Sequence, residues 1–179
     1  MKKVLIALVF LLVLVGCSSK TDENQEQKAP VAIEKESEEK KNEKEEPKIY
    51  GLGEPITISE NEKDLYTFTV NSVTTTDERN QFSEKEVEQV VVINYSYENI
   101  ADSEDVYIFS SHFTVIDEDG NVSETYPAGS EVSAQKAPIG AKSHGEESFG
   151  LISKSSKIKF FFNPSIFGDL KIPFELPVE

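Results

Sequence analysis

The sequence predicts an all-β chain: one antiparallel β-sandwich of seven or eight strands over residues 49–179, behind an apolar leader (1–16) and a charged spacer (17–48). Three observations carry this expectation. Beyond residue 48 the apolar residues recur with a period of two, the pleat of a half-buried strand, and not with the 3.6 of a helix. The runs are rich in β-branched and aromatic residues. Clusters of Gly, Pro, Asn and Asp separate them at short intervals.

The leader begins with Lys2 and Lys3 and continues as an unbroken apolar run, Val4 to Val15. A charged start, an apolar centre and a small residue before a cleavage site describe a secretory signal peptide. Twelve apolar residues are too few for a transmembrane helix, which needs roughly 20. The run ends Leu14-Val15-Gly16-Cys17, which resembles the lipobox of bacterial lipoproteins. That resemblance implies cleavage before Cys17, a diacylglycerol on its sulfur, and a chain held on the extracytoplasmic side of the cell membrane. Cys17 is the only cysteine, so acylation leaves no thiol for a disulfide. The folded part then depends on packing.

Residues 18–48 hold almost no large apolar side chains beyond Val31 and Ile33. Such a segment cannot bury enough apolar surface to offset its ordering entropy, and the sequence predicts a disordered, solvated spacer. Pro30 and Pro47 bracket its most charged part. As a flexible coil it reaches roughly 30 Å root-mean-square.

Within residues 49–179, Tyr66, Phe68 and Val70 alternate with polar residues, as do Val91, Ile93, Tyr95 and Tyr97. The opposite face of the second run starts apolar with Val90 and Val92 and turns polar at Asn94 and Ser96. Phe113 and Val115, then Phe149 and Leu151, then Ile158, Phe160 and Phe162 give three further strands. The last runs Leu170, Ile172, Phe174, Leu176. Pro173 and Pro177 place it at a sheet edge, because proline cannot donate to a ladder. The one short stretch open to a helical reading is Phe82 to Val87. With no Trp and Met1 the only methionine, Phe (11) and Tyr (6) supply the large core side chains.

The formal net charge of −15 is uneven: 7 lysines face 10 acids in residues 20–48, and 9 basic face 23 acidic residues in 49–179. A domain this acidic repels polyanions, which excludes nucleic acid as an expected partner. Cations and basic protein surfaces are what the charge favours; solubility at a crowded surface needs no partner at all.

The lipobox and spacer are followed by Tyr50-Gly51-Leu52-Gly53-Glu54, the strand Tyr66 to Val73, the strand Val90 to Asn99, the hairpin Phe113 to Gly120, and a Pro-Gly segment leading to Phe149-Gly150-Leu151. Together these resemble the DUF4352-type bacterial lipoproteins. The resemblance implies an immunoglobulin-like (telokin-like) sandwich outside the cytoplasm, with no catalytic residues. Pro138-Ile139-Gly140 and His144-Gly145 are spread more widely than that pattern leads one to expect.

Candidate chemistry is sparse. Asp117-Glu118-Asp119-Gly120-Asn121 resembles the opening of a calcium loop, but the twelfth position is Ala128 and not the required glutamate; Asp-Gly and Gly-Asn are hairpin-turn signals. Glu84, Glu86 and Glu88 would share one strand face, and Asp102, Glu104 and Asp105 sit in a turn, so either could form a cation or basic-partner patch. A solvated face serves equally. His112, beside the predicted Phe113/Val115 face and pointing away from it, and His144, in a Gly-bounded turn, are the only histidines. Two isolated histidines make neither a triad nor a zinc site, and no Gly-x-Ser-x-Gly elbow or phosphate loop is present.

These residues predict a non-enzymatic binding or protein-interaction module with no cofactor. Its partners are the membrane, through Cys17, and a protein or other envelope component. Loops 77–84, 99–105 and 127–145 are its candidate contact regions. The alternatives are a carboxylate-based cell-envelope hydrolase and a cation-binding surface domain.

Overall fold

The computed structural model describes residues 47–179; the leader, Cys17 and the spacer as far as residue 46 lie outside the described residues. Eight strands follow in order: β1 (Ile56–Glu60), β2 (Lys63–Thr76), β3 (Gln89–Asn99), β4 (Phe113–Ile116), β5 (Val122–Thr125), β6 (Lys142–Leu151), β7 (Lys157–Phe162) and β8 (Ile172–Pro177). A 3-10 turn, Ser110–His112, precedes β4.

The strands pair antiparallel in the order β1-β2-β3-β6-β5-β4-β7-β8. β5 is where this ladder folds into two layers. Val122 and Ser123 pair with Ile116 and Val115 of β4, whereas Glu124 and Thr125 pair with Gly150 and Phe149 of β6. One layer is therefore β1-β2-β3-β6 and the other β4-β7-β8, with the core between them. Aromatic rings fill that core, as the absence of tryptophan requires. Phe68 stacks on Phe162 with centroids 4.1 Å apart, and Phe113 lies 5.1 Å from Phe160 and 5.0 Å from Tyr95. The described residues belong to one compact unit.

The alternation in β2 changes phase at Asn71. Val70 pairs with Tyr95 and Ser72 with Asn94, leaving Asn71 as the extra residue of a bulge. The bulge lets both Val70 and Val73 face inward, where both are fully buried. Val90 and Val92 are buried on the outer face of β3 because chain folds over them. The β2–β3 loop, residues 77–88, and the segment after β5 meet there: the Asn80 N–H donates to the Tyr126 hydroxyl at 3.2 Å, and the Asn80 side chain to the Pro127 carbonyl at 3.1 Å. Two glycines permit this closure. A Cβ on Gly150 would lie 2.5 Å from Val87 Cγ1, and one on Gly129 would lie 2.6 Å from Thr76 Cγ2.

Several expectations change. Residues 77–88 contain neither strand nor helix, so Glu84, Glu86 and Glu88 share no strand face and Phe82 to Val87 makes no helical turn. Leu170 lies outside β8 and is exposed. The widely spread segment before His144 ends at Lys142, where β6 begins. The short strands β1 and β5 were not foreseen. β8 is the terminal strand of the ladder as Pro173 and Pro177 predict, with one parallel bridge to Tyr50 beyond it.

That bridge fixes where the chain enters. Tyr50 runs parallel to Phe174, so residues 47–49 extend back toward the start of β8. The entry end of the sandwich carries the β1–β2 turn, the β3–β4 loop, residues 138–141 and the β7–β8 loop (163–171). The far end carries loop 77–88, the β4–β5 turn (117–121), the β6–β7 connection (152–156) and the C-terminus, where the Val178 N–H donates to the Ser156 carbonyl at 2.8 Å.

Candidate functional site

An open groove of about 590 Å³ lies at the far end, lined by residues from loop 77–88, the ends of β2 and β3, Glu118, and the 152–156 connection. Its floor is held by a chain of hydrogen bonds between elements. The Gln89 amide donates to the Thr75 hydroxyl at 3.0 Å, and its oxygen accepts from the Ser155 N–H at 2.8 Å. The buried Ser155 hydroxyl accepts from the Glu118 N–H at 3.1 Å, and the Glu118 carboxylate accepts from the Ser156 N–H and hydroxyl at 3.2 and 3.0 Å. Five side chains from four elements are thus hydrogen-bonded in one chain before any ligand arrives, an arrangement that lowers the ordering cost of binding.

Charged side chains line the groove as well. Arg79, the only arginine in the chain, donates through one Nη to the Thr76 and Glu78 carbonyls at 2.9 Å each. That holds the guanidinium through one nitrogen and leaves the N–H groups of the other two for a ligand. Lys154 faces the same groove, with Asp77 and Glu88 among its acids. Among the described residues, neither Arg79 nor Lys154 forms an ion pair. The groove continues along loop 77–88 past Arg79 and Glu88 to Val87, Tyr126 and Ile152, and then to Val122. Lys85 borders that stretch but is engaged, 2.9 Å from Glu124 and donating to the Thr125 carbonyl at 2.8 Å. A hydrogen-bonded polar lining, charges of both signs outside ion pairs, and an extension that sets Val87, Tyr126 and Ile152 among Glu86 and Glu88 can bind a ligand carrying charged and apolar groups. Both Glu118 oxygens are bonded to Ser156, which leaves Asp77 and Glu88 as the groove's carboxylates outside ion pairs among the described residues.

Other candidates separate from this groove. Asp117 is buried and its carboxylate accepts from Asn121 through the backbone at 2.8 Å and the side chain at 3.1 and 3.0 Å. Burial works against its charge, but those donors, with Ser153 and Asp119, hold its pKa below the ordinary value. It closes the hairpin turn, and among the described residues no cluster of three or more metal-ligating side chains occurs. Asp102, Glu104 and Asp105 sit at the entry end, in a loop organised by buried Asn99. That amide donates to the carbonyls of Glu104 and Ala137 at 3.0 Å and accepts from the Asp102 N–H at 2.9 Å.

His112 is buried, contrary to expectation, because the 3-10 turn directs its ring against Phe109 and Phe162. Its Nδ1 lies 3.3 Å from the Phe109 carbonyl, and burial lowers its pKa, which favours the neutral ring. His144 is exposed on the outer face of β6, opposite Ser96. Among the described residues, neither histidine is hydrogen-bonded to a serine. One carboxylate was missed: Glu147, paired with Ile93 and therefore on the inner face. Burial pushes its pKa up, against the N–H of Ser110, which donates to it at 3.1 Å. It stands apart from Asp117 and from the groove.

Of the expected contact regions, the structure places 77–84 on the groove, 99–105 at the opposite end, and 127–145 along β6 between the two ends. The connection 152–156, which contributes Lys154, Ser155 and Ser156, was not anticipated. Its signal was available in Ser153-Lys154-Ser155-Ser156, a polar interruption between two apolar runs.

No family model matches the chain, and no curated protein matches it. Among solved structures it is similar to MPT63, a secreted protein from Mycobacterium tuberculosis, with a TM-score of 0.55 and 16% identity over 74% of this chain and 98% of that one. The likeness shows the fold: an antiparallel β-sandwich of immunoglobulin-like type.

Proposed function

We propose that the chain is a non-enzymatic binding module, held on the extracytoplasmic face of the cell membrane by a lipid on Cys17, that takes an extended peptide segment of an envelope protein into the far-end groove. The observation that carries this reading is the groove itself, a pre-bonded floor with Arg79 and Lys154 left free of ion pairs in an otherwise acidic domain. A peptide supplies what those groups lack: carboxylates for Arg79 and Lys154, ammonium groups for Asp77 and Glu88, and apolar side chains for Val87 and Ile152. The signal-like leader, the lipobox-like Leu14-Val15-Gly16-Cys17 and the DUF4352-type resemblance support the location. Among the described residues, no helix is long and apolar enough to cross a membrane.

The test is capture of envelope components by a soluble 44–179 domain. Replacing Arg79 and Lys154 together by alanine is expected to abolish capture, with unchanged melting temperature. Retention of the partner by that variant, at wild-type strength, overturns the groove. The anchor is read separately: Cys17→Ala should release the protein from the membrane fraction, and an unchanged membrane fraction contradicts lipidation.

A further inference from the structure

The entry end of the sandwich exposes apolar side chains on three separate loops. Ile100 follows β3, Ile139 precedes β6, and the β7–β8 loop presents Ile166, Phe167 and Leu170. Phe167 is 94% exposed. A turn displays it: the Gly168 N–H donates to the Ser165 carbonyl at 3.1 Å, and the Phe167 N–H to the Ser165 hydroxyl at 3.4 Å. The loop is pinned to the body by the Tyr66 hydroxyl, which donates to the Pro164 carbonyl at 3.3 Å. Phe82, Val122 and Ile152 are exposed at the far end as well; the entry end differs in presenting five such side chains on three loops at the end where the chain joins the domain, and a patch of that kind marks a contact surface.

What covers this end follows from the chain outside the structure. The first 46 residues join the domain at this same end, because residues 47–49 run back from Tyr50 toward the start of β8. We infer that the β7–β8 loop, with Ile100 and Ile139 beside it, is a second membrane contact that seats the entry end on the lipid surface. This inference rests on the anchor proposed for Cys17. An anchored domain samples the bilayer at high effective concentration, so a few apolar side chains that would not bind vesicles from solution suffice to hold it there. Seating by this end turns the far-end groove away from the bilayer.

The charges nearby set the lipid preference. Asp169 and Lys171 flank the apolar positions, and Asp102, Glu104 and Asp105 lie on the neighbouring loop; Asp102 is close enough to Tyr66 to help raise its phenol pKa, behind burial. These acids oppose an anionic surface, so contact is strongest on zwitterionic lipid and strengthens on anionic lipid as salt screens the repulsion.

The chain contains no tryptophan, so a Phe167→Trp variant carries a unique reporter. The chain from residue 17 onward is coupled through its single thiol to a maleimide lipid in phosphatidylcholine vesicles, with or without bromine on the acyl chains. The indole emission of that variant is expected to shift to the blue and lose most of its intensity over brominated lipid. A Phe82→Trp variant, whose reporter sits at the far end, is expected to show neither change. Solvent-like emission from position 167 in the tethered chain overturns the proposal, as does equal quenching at both positions. A blue shift that depends on protein concentration without lipid assigns the surface to a second copy and overturns it too. Because the tether is chemical, the result stands apart from lipidation in cells, which the mass of the mature chain reads directly.

Discussion

Asp117 and Glu147 show how the same residue class does opposite work two strands apart. Asp117 has its pKa held down by Asn121 and its neighbours despite burial, whereas burial raises that of Glu147. A depressed folded pKa contributes stability that is present above the unfolded value and is lost as pH falls through the folded one. A raised carboxylate pKa does the reverse: its charged form weakens the fold at neutral pH, and that penalty is relieved as pH falls toward the ordinary value of 4.5. Glu147→Gln is therefore expected to raise the urea midpoint at pH 7 and to leave it unchanged near pH 4. Asp117→Asn is expected to lower the midpoint at pH 7, with the difference shrinking below pH 4. Equal shifts at both pH values for Glu147→Gln would contradict the burial account. Asn99 is the third residue whose environment decides its role. Its alanine variant removes the amide's bonds to the Glu104 and Ala137 carbonyls and the Asp102 N–H, leaving the Ala137 carbonyl only its bond from the Val106 N–H, and should cost about 3 kcal/mol in chemical denaturation.

The hairpin between β1 and β2 and the long β2–β3 loop are elements whose behaviour depends on a few positions. Asn61 and Glu62 occupy the left-handed region, with φ of 50° and 64°. Asparagine tolerates that conformation and glutamate does so at a cost. Glu62→Gly should stabilise the domain by roughly 0.5–1 kcal/mol, measured as a higher melting temperature, because glycine relieves the strain. Loop 77–88 has no strand to hold it. It depends on the Tyr126 hydroxyl, the Lys85–Glu124 pair and the fit of Val87 over Gly150. Gly150→Ala should displace Val87, expose loop 77–88 to proteolysis and reshape the groove, while the Phe68–Phe162 core persists. Cleavage unchanged from wild type would show that other contacts hold the loop.

At the scale of the whole molecule, the sandwich was legible from period-two alternation, because strands with one buried face must alternate. The core positions of β2, β3, β7 and β8 follow directly from Phe68, Ile93, Phe160 and Phe174. What escaped were features that depend on two distant segments meeting. The Asn71 bulge carries no local mark. The 3-10 turn that buries His112 lies in a polar Ser110-Ser111 pair. Glu147 occupies an inward position that alternation assigns to an apolar residue, and its reason, the Ser110 N–H, lies 37 residues away. The groove was half legible. Loop 77–84 was visible as turn chemistry, while its floor of Gln89, Glu118 and Ser155 unites four elements whose proximity only the fold creates.

The far-end groove is the proposed site of partner binding. Its most direct measurement is site-specific photocrosslinking in living cells, with a photoreactive residue at position 154 in the groove or at position 144 on the outer face of β6. A discrete adduct from 154, lost when Arg79 is replaced by alanine, with none from 144, is the predicted result. An adduct from 144 and none from 154 would contradict it.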